Sequence, residues 1–322
     1  MLYDIIIIGG GPAGAAAAIY SARKKLKTLL ITDSFGGQSV VSADIQNWIG
    51  EPHISGFDLA QKLESHVRSF AGAVEIKMPE RAVEIKSVKC GEDRICDFEI
   101  KTDQGDIYES KTLILTQGAR RKKLGVPGEE KFNGKGVAYC STCDAPLFAG
   151  KKVAVVGGGN AGLEAVVDLF PYASEIYLFN RGDALKGDPV EQEKIKSNPK
   201  LKEIIFNAEI LEILGDSFVS GIKYKNIKTD EKKVLPVEGV FVEIGSEPNS
   251  EIVKNLVDLD KWGQVIIDAK HATTSHPGIF AAGDITDDPY KQNNISVGDA
   301  VKAALAAYNY LLKREKQPPA AG

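Results

Sequence analysis

Tyr3-Asp4-Ile5-Ile6-Ile7-Ile8-Gly9-Gly10-Gly11-Pro12-Ala13-Gly14 decides the fold. Four consecutive isoleucines have no polar face, so the segment reads as a strand buried on both sides of a parallel sheet. It runs straight into a glycine-rich turn. An alanine-rich, helix-favouring stretch follows over residues 15–25, then a second strand over 27–32. Strand, Gly-rich turn, helix and strand within about 30 residues turn a weak GxGxxG into a dinucleotide-binding fingerprint. Gly9 permits the tight turn, Gly11 lets backbone approach a pyrophosphate, and Gly14 lets the helix pack on the strand. The free N–H groups of the helix N-terminus and its positive dipole end face that anion. Asp33, at the end of the second strand, stands where an acid binds a ribose diol. The plainer alternative is a Gly-rich turn in an ordinary α/β protein, which gives no reason for this context.

The arrangement recurs. Residues 151–156 form a strand, Gly157-Gly158-Gly159-Asn160-Ala161-Gly162 the turn, 163–170 a helix and 175–179 a strand. One chain with two fingerprints reads as binding two dinucleotides, the arrangement of a flavoprotein that takes a hydride from a nicotinamide nucleotide. Residues 74–115 alternate apolar and polar in short runs broken by Gly91 and Gly105, which predicts antiparallel strands and no βαβ unit. Leu113-Ile114-Leu115 reads as a strand returning to the first domain. Arg120-Arg121-Lys122-Lys123 reads as a solvated linker rather than a phosphate or partner contact. The strand at 278–282, Gly283-Asp284 and a helix over 297–314 suit the first domain, and 316–322 read as a mobile tail. The expectation is an α/β protein of two Rossmann-like dinucleotide-binding domains (three-layer ββα), the second inserted in the first. Residues 1–117 and 246–322 form the discontinuous first domain, and 118–245 the inserted second domain that carries the CxxC.

The 322 residues are 43% hydrophobic and 26% charged, enough for a packed core, and two domains are expected. Lys and Arg total 40 against 44 Asp and Glu, a net charge of −4. That balance gives no pull toward nucleic acid or an anionic membrane. No apolar window approaches a membrane span, and the N-terminus shows neither a basic region nor a cleavage site, so a cytoplasmic protein is expected. Cys140 and Cys143 form a CxxC. Without a secretory signal a structural disulfide framework explains it poorly, and no second well-spaced pair or nearby histidine supports zinc. No metal is expected. Redox chemistry is the leading reading. Cys90 and Cys96 read as ordinary strand residues.

The segments 9–14, Phe35-Gly36-Gly37-Gln38, Asn47-Trp48, Cys140-Ser141-Thr142-Cys143-Asp144, 157–162, 278–284 and Tyr290-Lys291-Gln292 together resemble the low-molecular-weight thioredoxin reductases. The chain is also similar to the C-terminal part of the flavoprotein subunit of alkyl hydroperoxide reductase. The glutathione-reductase-like branch places its cysteines near the flavin fingerprint, and no cysteine precedes Cys90 here. The resemblance implies FAD across the first domain, at Gly9, Gly11, Pro12, Ala13, Gly14, Asp33, Gly37, Gln38, Asn47, Gly118, Gly283, Asp284, Lys291, Gln292 and Asn293. Asp284 would bond the ribityl chain and Gln292 would sit near the isoalloxazine ring. The nicotinamide nucleotide would lie at Gly157, Gly159, Asn160 and Gly162, with Arg181 and Lys186 beside a 2′-phosphate. NADPH is expected and NADH is the alternative, because Gly182 stands where the family has a second arginine. Thr116-Gln117-Gly118, in place of Ala-Thr-Gly, and Asn293 after Gln292 depart from the family near the flavin. Ala145 after Asp144, in place of glycine, is a smaller change in the turn.

Two thiols at the start of a helix close a small disulfide ring, and the helix N-terminus lowers the thiolate pKa toward neutrality. Attack on a partner disulfide runs through a mixed disulfide that the second thiol resolves. By the same resemblance, Asp144 protonates the leaving thiolate and Cys143 is the sulfur nearer the flavin; a helix cap is the plainer role for Asp144. Since one flavin must meet both nicotinamide and dithiol, the inserted domain is expected to turn about connections at 118–125 and 245–249. The implied partner is thioredoxin or a thioredoxin-like protein, and the implied assembly a homodimer. Reduction of a separate peroxiredoxin-linked carrier, a flavin-based electron transferase and a flavin-binding redox sensor are the competing readings.

Overall fold

The structure, a computed structural model, describes residues 1–42, 44–88 and 97–316. Cys90, Cys96 and residues 317–322 of the expected tail lie outside the described residues. The chain divides into two compact units, Met1–Val40 with Trp48–Arg120 and Glu247–Gly322, and Val41–Asn47 with Arg121–Ser246.

In the first unit β1 (Leu2–Tyr3) precedes β2 (Ile5–Gly10), α1 (Pro12–Arg23), β3 (Thr28–Phe35), α2 (Gly56–Arg68) and β4 (Val74–Lys77). The strands β5 (Ala82–Val88), β6 (Asp97–Thr102), β7 (Ile107–Ser110) and β8 (Leu113–Leu115) follow. β2 lies parallel between β3 and β8, with Ile7 opposite both Leu30 and Ile114. Ile5 and Ile7 pack with the alanines of α1, while Ile6 and Ile8 pack with Ile85, Phe98 and Ile100 of β5 and β6. None of the four isoleucines is more than 4% exposed. Each buried side chain contributes roughly 1.5–3 kcal/mol, so the strand is held from both faces.

Two expectations need correction here. β4 runs parallel to β3, Leu29 opposite Glu75, and belongs to the main sheet rather than to the antiparallel set. The crossover that makes this possible is α2, whose N-cap Ser55 accepts a hydrogen bond from the Asp58 N–H at 3.0 Å. Only β5, β6 and β7 are antiparallel, and β1 joins β7 in parallel. In addition, α1 begins at Pro12 rather than at residue 15, because proline at the first helical position has no N–H to leave unsatisfied.

The second unit contains β10 (Val137–Ala138), α3 (Ser141–Asp144), β11 (Lys152–Val156), α4 (Asn160–Leu169), β12 (Glu175–Phe179), α5 (Pro189–Lys196) and β13 (Leu201–Ile205); β9 (Ala119–Arg121) leads into it. The antiparallel β14 (Ala208–Gly215), β15 (Val219–Asn226) and β16 (Lys232–Leu235) come next, then β17 (Gly239–Val242). Its parallel sheet runs β10-β17-β11-β12-β13. Val153 and Val155 face Leu163, Val166 and Leu169 of α4; Ala154 and Val156 face Ile210, Ile213 and Ile222 of the antiparallel layer. The layering of the first unit is thus repeated: helices, parallel sheet, antiparallel sheet.

Past β17 come β18 (Ser246–Pro248), β19 (Ile279–Ala281) and α6 (Asn293–Lys316). β19 pairs with β8 at the edge of the first parallel sheet, order β19-β8-β2-β3-β4, and Ala300, Ala303, Ala304 and Ala307 of α6 join the alanines of α1. α6 begins at Asn293, before the expected residue 297. The two expected glycine-bearing connections are ordered strands: β9 and β18 pair with each other. Among the described residues no helix is long and apolar enough to cross a membrane.

The fingerprints rest on backbone contact. A Cβ on Gly14 would lie 1.8 Å from the Gly9 carbonyl oxygen, and one on Gly162 would lie 1.9 Å from that of Gly157. Gly159 has nothing within 4 Å of such a Cβ. Gly14→Ala and Gly162→Ala should therefore each lose about 2–4 kcal/mol in denaturant unfolding, while Gly159→Ala should lose less than about 1 kcal/mol.

Candidate functional site

A cleft of about 550 Å³ opens in the first unit at the C-terminal ends of β2 and β3. Of the expected FAD contacts, Gly9, Gly11, Pro12, Ala13, Asp33, Gly37, Gln38, Gly118, Gly283, Asp284 and Asn293 line it. Gly11 and Gly37 oppose each other across its floor: a Cβ on Gly37 would lie 3.3 Å from the Gly11 Cα. Gln38 Nε2 donates to Asp284 Oδ2 at 3.1 Å, and Ser39 Oγ donates to Asn293 Oδ1 at 2.9 Å. Asp33 is ion-paired with Arg81, which holds its carboxyl below the usual range, so the acid expected to await a ribose diol already has a partner. Both groups are more than half exposed, and such pairs are worth about 0–1 kcal/mol, so a ligand can displace Arg81 at little cost.

Four expected contacts do not line this cleft. Gly14 lies beneath it against the Gly9 carbonyl. Asn47 is exposed, in the Val41–Asn47 stretch that groups with the second unit. Lys291 is half-buried with Nζ donating to the Thr286 carbonyl, and desolvation lowers its pKa. Gln292 also lies outside the lining. Sequence reasoning missed Glu80, Arg81 and Asn249, all of which line the cleft. Asn249 Nδ2 donates to the Gln117 carbonyl at 2.7 Å and fixes that turn. The Gln117 side chain also lines the cleft, and both its amide atoms are buried without a hydrogen-bond partner among the described residues.

In the second unit α4 starts directly after Gly159, with no side chain over its first N–H groups. Asn160 is less free than expected, since its Oδ1 accepts from the Asp188 N–H at 2.8 Å. The loop after β12 is fastened to the fingerprint by Lys186 N donating to the Gly158 carbonyl, and to Asn180 by Nδ2 donating to the carbonyls of Gly182 and Ala184. Lys186 is exposed. Arg181 is 80% exposed and stands 3.7 Å from Glu209, which also pairs with Lys225 at 3.2 Å.

Cys140 and Cys143 are joined as a disulfide. Cys140 is the N-cap of α3, which is a single turn, so the helix contributes little dipole to the thiols. Acids dominate the surroundings instead. Asp144 is pushed up to about 6 by burial, with Arg121 pulling the other way. Glu243, 7% exposed, is pushed up to about 7 by burial and by Asp144 and Asp168, while Arg121 and the Ser141 N–H pull it down. Asp168 accepts from Ser141 Oγ at 2.8 Å and from Thr142 Oγ1 at 3.3 Å. Arg121, half-buried at the end of β9, favours the charged forms of both acids and is less solvated than the linker residue expected of the basic run. The CxxCD motif is visible in the sequence; Glu243 and Asp168 carry no signal there.

A dinucleotide cleft in one α/β unit, and a second fingerprint with a reducible disulfide in the other, define an oxidoreductase. The family model of the pyridine nucleotide-disulphide oxidoreductases matches residues 3–307, and the chain belongs to that family. FAD and NAD(P)H are the family's cofactors. The chain is 42% identical over 311 residues to the NADH dehydrogenase of Bacillus subtilis strain 168, covering 97% of this chain and 59% of that protein. It is 44% identical over 312 residues to a subunit of alkyl hydroperoxide reductase from Pseudomonas aeruginosa, covering 97% and 58%. It thus spans less than two thirds of these curated relatives. The crystal structure of thioredoxin reductase from Streptococcus pyogenes MGAS5005 superposes with a TM-score of 0.88 at 35% identity, covering 97% of this chain and 99% of that one.

The raised Glu243 fixes a sign for stability. Its folded pKa lies above its ordinary 4.5, so the folded state holds the extra proton and loses stability as pH rises from about 4.5 to 7. The loss is at most about 3 kcal/mol. Unfolding free energies measured across that range should fall less steeply in Glu243→Gln than in the wild type.

Proposed function

We propose that the protein is a disulfide reductase that passes electrons from NAD(P)H by way of FAD to Cys140–Cys143, and from that dithiol to a thioredoxin-like protein. The observation that carries this reading is the disulfide with half-buried Asp144 directly after it, in the unit that holds the second fingerprint. Two features of the first cleft support FAD there. Gly11 and Gly37 leave a floor that side chains would fill, and the Gln117 amide has buried donor and acceptor atoms to offer. Gly9, Gly11, Pro12, Ala13, Gly37, Gln38, Gln117, Gly118, Gly283, Asp284 and Asn293 would hold the cofactor, with Asp33 on its ribose in place of Arg81. When bound, it supplies the relay between a hydride donor and a disulfide.

The chain's own residues do the rest. Gly157, Gly159 and the first turn of α4 bind the nucleotide's pyrophosphate. Asp144, with a pKa near 6, gives a proton to the sulfur that leaves when the disulfide opens, and Arg121 steadies the carboxylate left behind. The dithiol then attacks the partner's disulfide, one thiol forming the mixed disulfide and the other resolving it. Identity to the alkyl hydroperoxide reductase subunit supports a second partner, a carrier that feeds a peroxide-reducing protein. The family relationship also supports a homodimer.

Nucleotide choice follows from charge. Arg181 and Lys186 are the cations for a 2′-phosphate, but Glu209 beside Arg181 opposes one. The name of the Bacillus subtilis relative points the same way. The expected kcat/KM is higher for NADH than for NADPH.

Anaerobic NADH should bleach the visible absorbance of the FAD-loaded protein. Cys143→Ser should still be bleached yet lose roughly a thousandfold or more in thioredoxin-coupled disulfide reduction. Undiminished disulfide turnover by Cys143→Ser would refute the role given to the dithiol.

A further inference from the structure

Cys140 and Cys143 bracket the turn of α3, with Cα atoms 5.4 Å apart. A helix of one turn holds itself poorly, because nucleation fixes several residues for a single backbone bond. Here that bond runs from the Asp144 N–H to the Cys140 carbonyl at 3.0 Å, and Cys140 supplies no side-chain cap. The turn is held from outside. Ala138 before it, and Ala145 and Phe148 after it, pack in one core with Leu163, Val166 and Leu169 of α4. Between these flanks, the two residues that separate the cysteines both donate to one oxygen of α4. Ser141 Oγ reaches Asp168 Oδ2 at 2.8 Å and Thr142 Oγ1 reaches it at 3.3 Å. Ser141 is buried and Asp168 half-buried. Asp168 is badly placed for its own helix. It lies in the last turn of α4, where the macrodipole opposes an anion, and four residues after Glu164, a like charge on the same face. The helix gains nothing from this acid, whereas the disulfide turn takes both of its side-chain bonds from it.

We propose that Asp168 is a positioning residue of the dithiol centre: its bonds to Ser141 and Thr142 hold the interior of the turn against α4 whether or not the S–S bond exists, and so keep the two sulfurs within closing distance. The inference rests on the disulfide-reductase reading above. In exchange with a small dithiol, two electrons and two protons pass from reagent to protein. The protein's S–S bond breaks and two S–H bonds form, while the reagent loses two S–H bonds and gains an S–S bond. A turn that stays wound without its disulfide gains little freedom when the bond opens. Opening is therefore opposed, reclosure is favoured, and the dithiol is the stronger reductant toward a partner's disulfide.

The test uses the full chain loaded with FAD and equilibrated without oxygen in mixtures of reduced and oxidised dithiothreitol. Thiols are trapped with N-ethylmaleimide, and the peptide bearing Cys140 and Cys143 is scored as dithiol or disulfide by mass spectrometry. Asp168→Ala should shift the equilibrium toward the dithiol by about three- to tenfold. Asp168→Asn, which presents an acceptor oxygen without the charge, should recover most of that shift. Ser141→Ala combined with Thr142→Val should reproduce the shift of Asp168→Ala and add nothing to it when all three changes are joined. That pair carries the test if Asp168→Ala does not retain FAD. An equilibrium that neither Asp168→Ala nor the hydroxyl pair moves, or one that Asp168→Asn moves as far as Asp168→Ala, overturns the inference. Failure of dithiothreitol to expose thiols at Cys140 and Cys143 in the wild type overturns the disulfide-reductase reading itself, and the two failures are distinguishable.

Discussion

A helix N-terminus can be laid against the end of a strand, with its N–H groups turned to an anion, only where no side chain intervenes. Gly14 over the Gly9 carbonyl meets that condition in the first unit, and Gly162 over the Gly157 carbonyl meets it again in the second. Each contact fixes where its helix begins, and with it which face of the parallel sheet the helix covers. The other face is then left to an antiparallel layer, which is why every second residue of β2 and of β11 belongs to a different core. In the second unit Asn160, Gly158 and Asn180 also fasten the segment after β12 to the fingerprint.

The chemistry of the disulfide is set by burial and charge more than by a helix. A macrodipole effect grows over aligned turns and is felt within the end turn, and α3 has one turn to give. Around it Asp144 and Glu243 are desolvated, which favours their neutral forms, while Arg121 favours their charged forms. The opposition leaves both acids titrating near neutrality, where a proton can be given and recovered. A fully solvated carboxyl would be ionised well below that range, and one buried with no cation would stay protonated well above it.

Much of this was legible in the chain. The runs at β2 and at residues 153–156 of β11 and the short β8 are apolar without alternation, and they fold as buried parallel strands. The glycine spacing placed both fingerprints, and CxxCD placed the disulfide and its first acid. α2 was not legible, because residues 56–68 carry a mixed pattern whose apolar positions gain meaning only against the sheet they cover. β4 was then assigned to the wrong sheet, since four residues do not show whether their neighbour is parallel. Glu243 was invisible for a different reason. It is a lone acid after Val240-Phe241-Val242, and its burial is set by the tertiary fold. Arg121 was misread on the same ground, as one cation in a run of four.

Buried polar atoms in folded proteins are satisfied with few exceptions, and an unsatisfied one costs about 1–3 kcal/mol. Among the described residues the exceptions are at Ser21, Gln117, Asp299 and Tyr310, and of these Gln117 lines the first cleft. The Gln117 amide lacks partners among the described residues in the wall of the first cleft. A chain selected for stability alone would place an apolar side chain at Gln117, as the neighbouring Leu113-Ile114-Leu115 strand does. The deficit at Gln117 is one that a bound molecule with complementary polar atoms removes, so the first unit gives up some of its stability at the wall of its cleft, where a ligand can restore it.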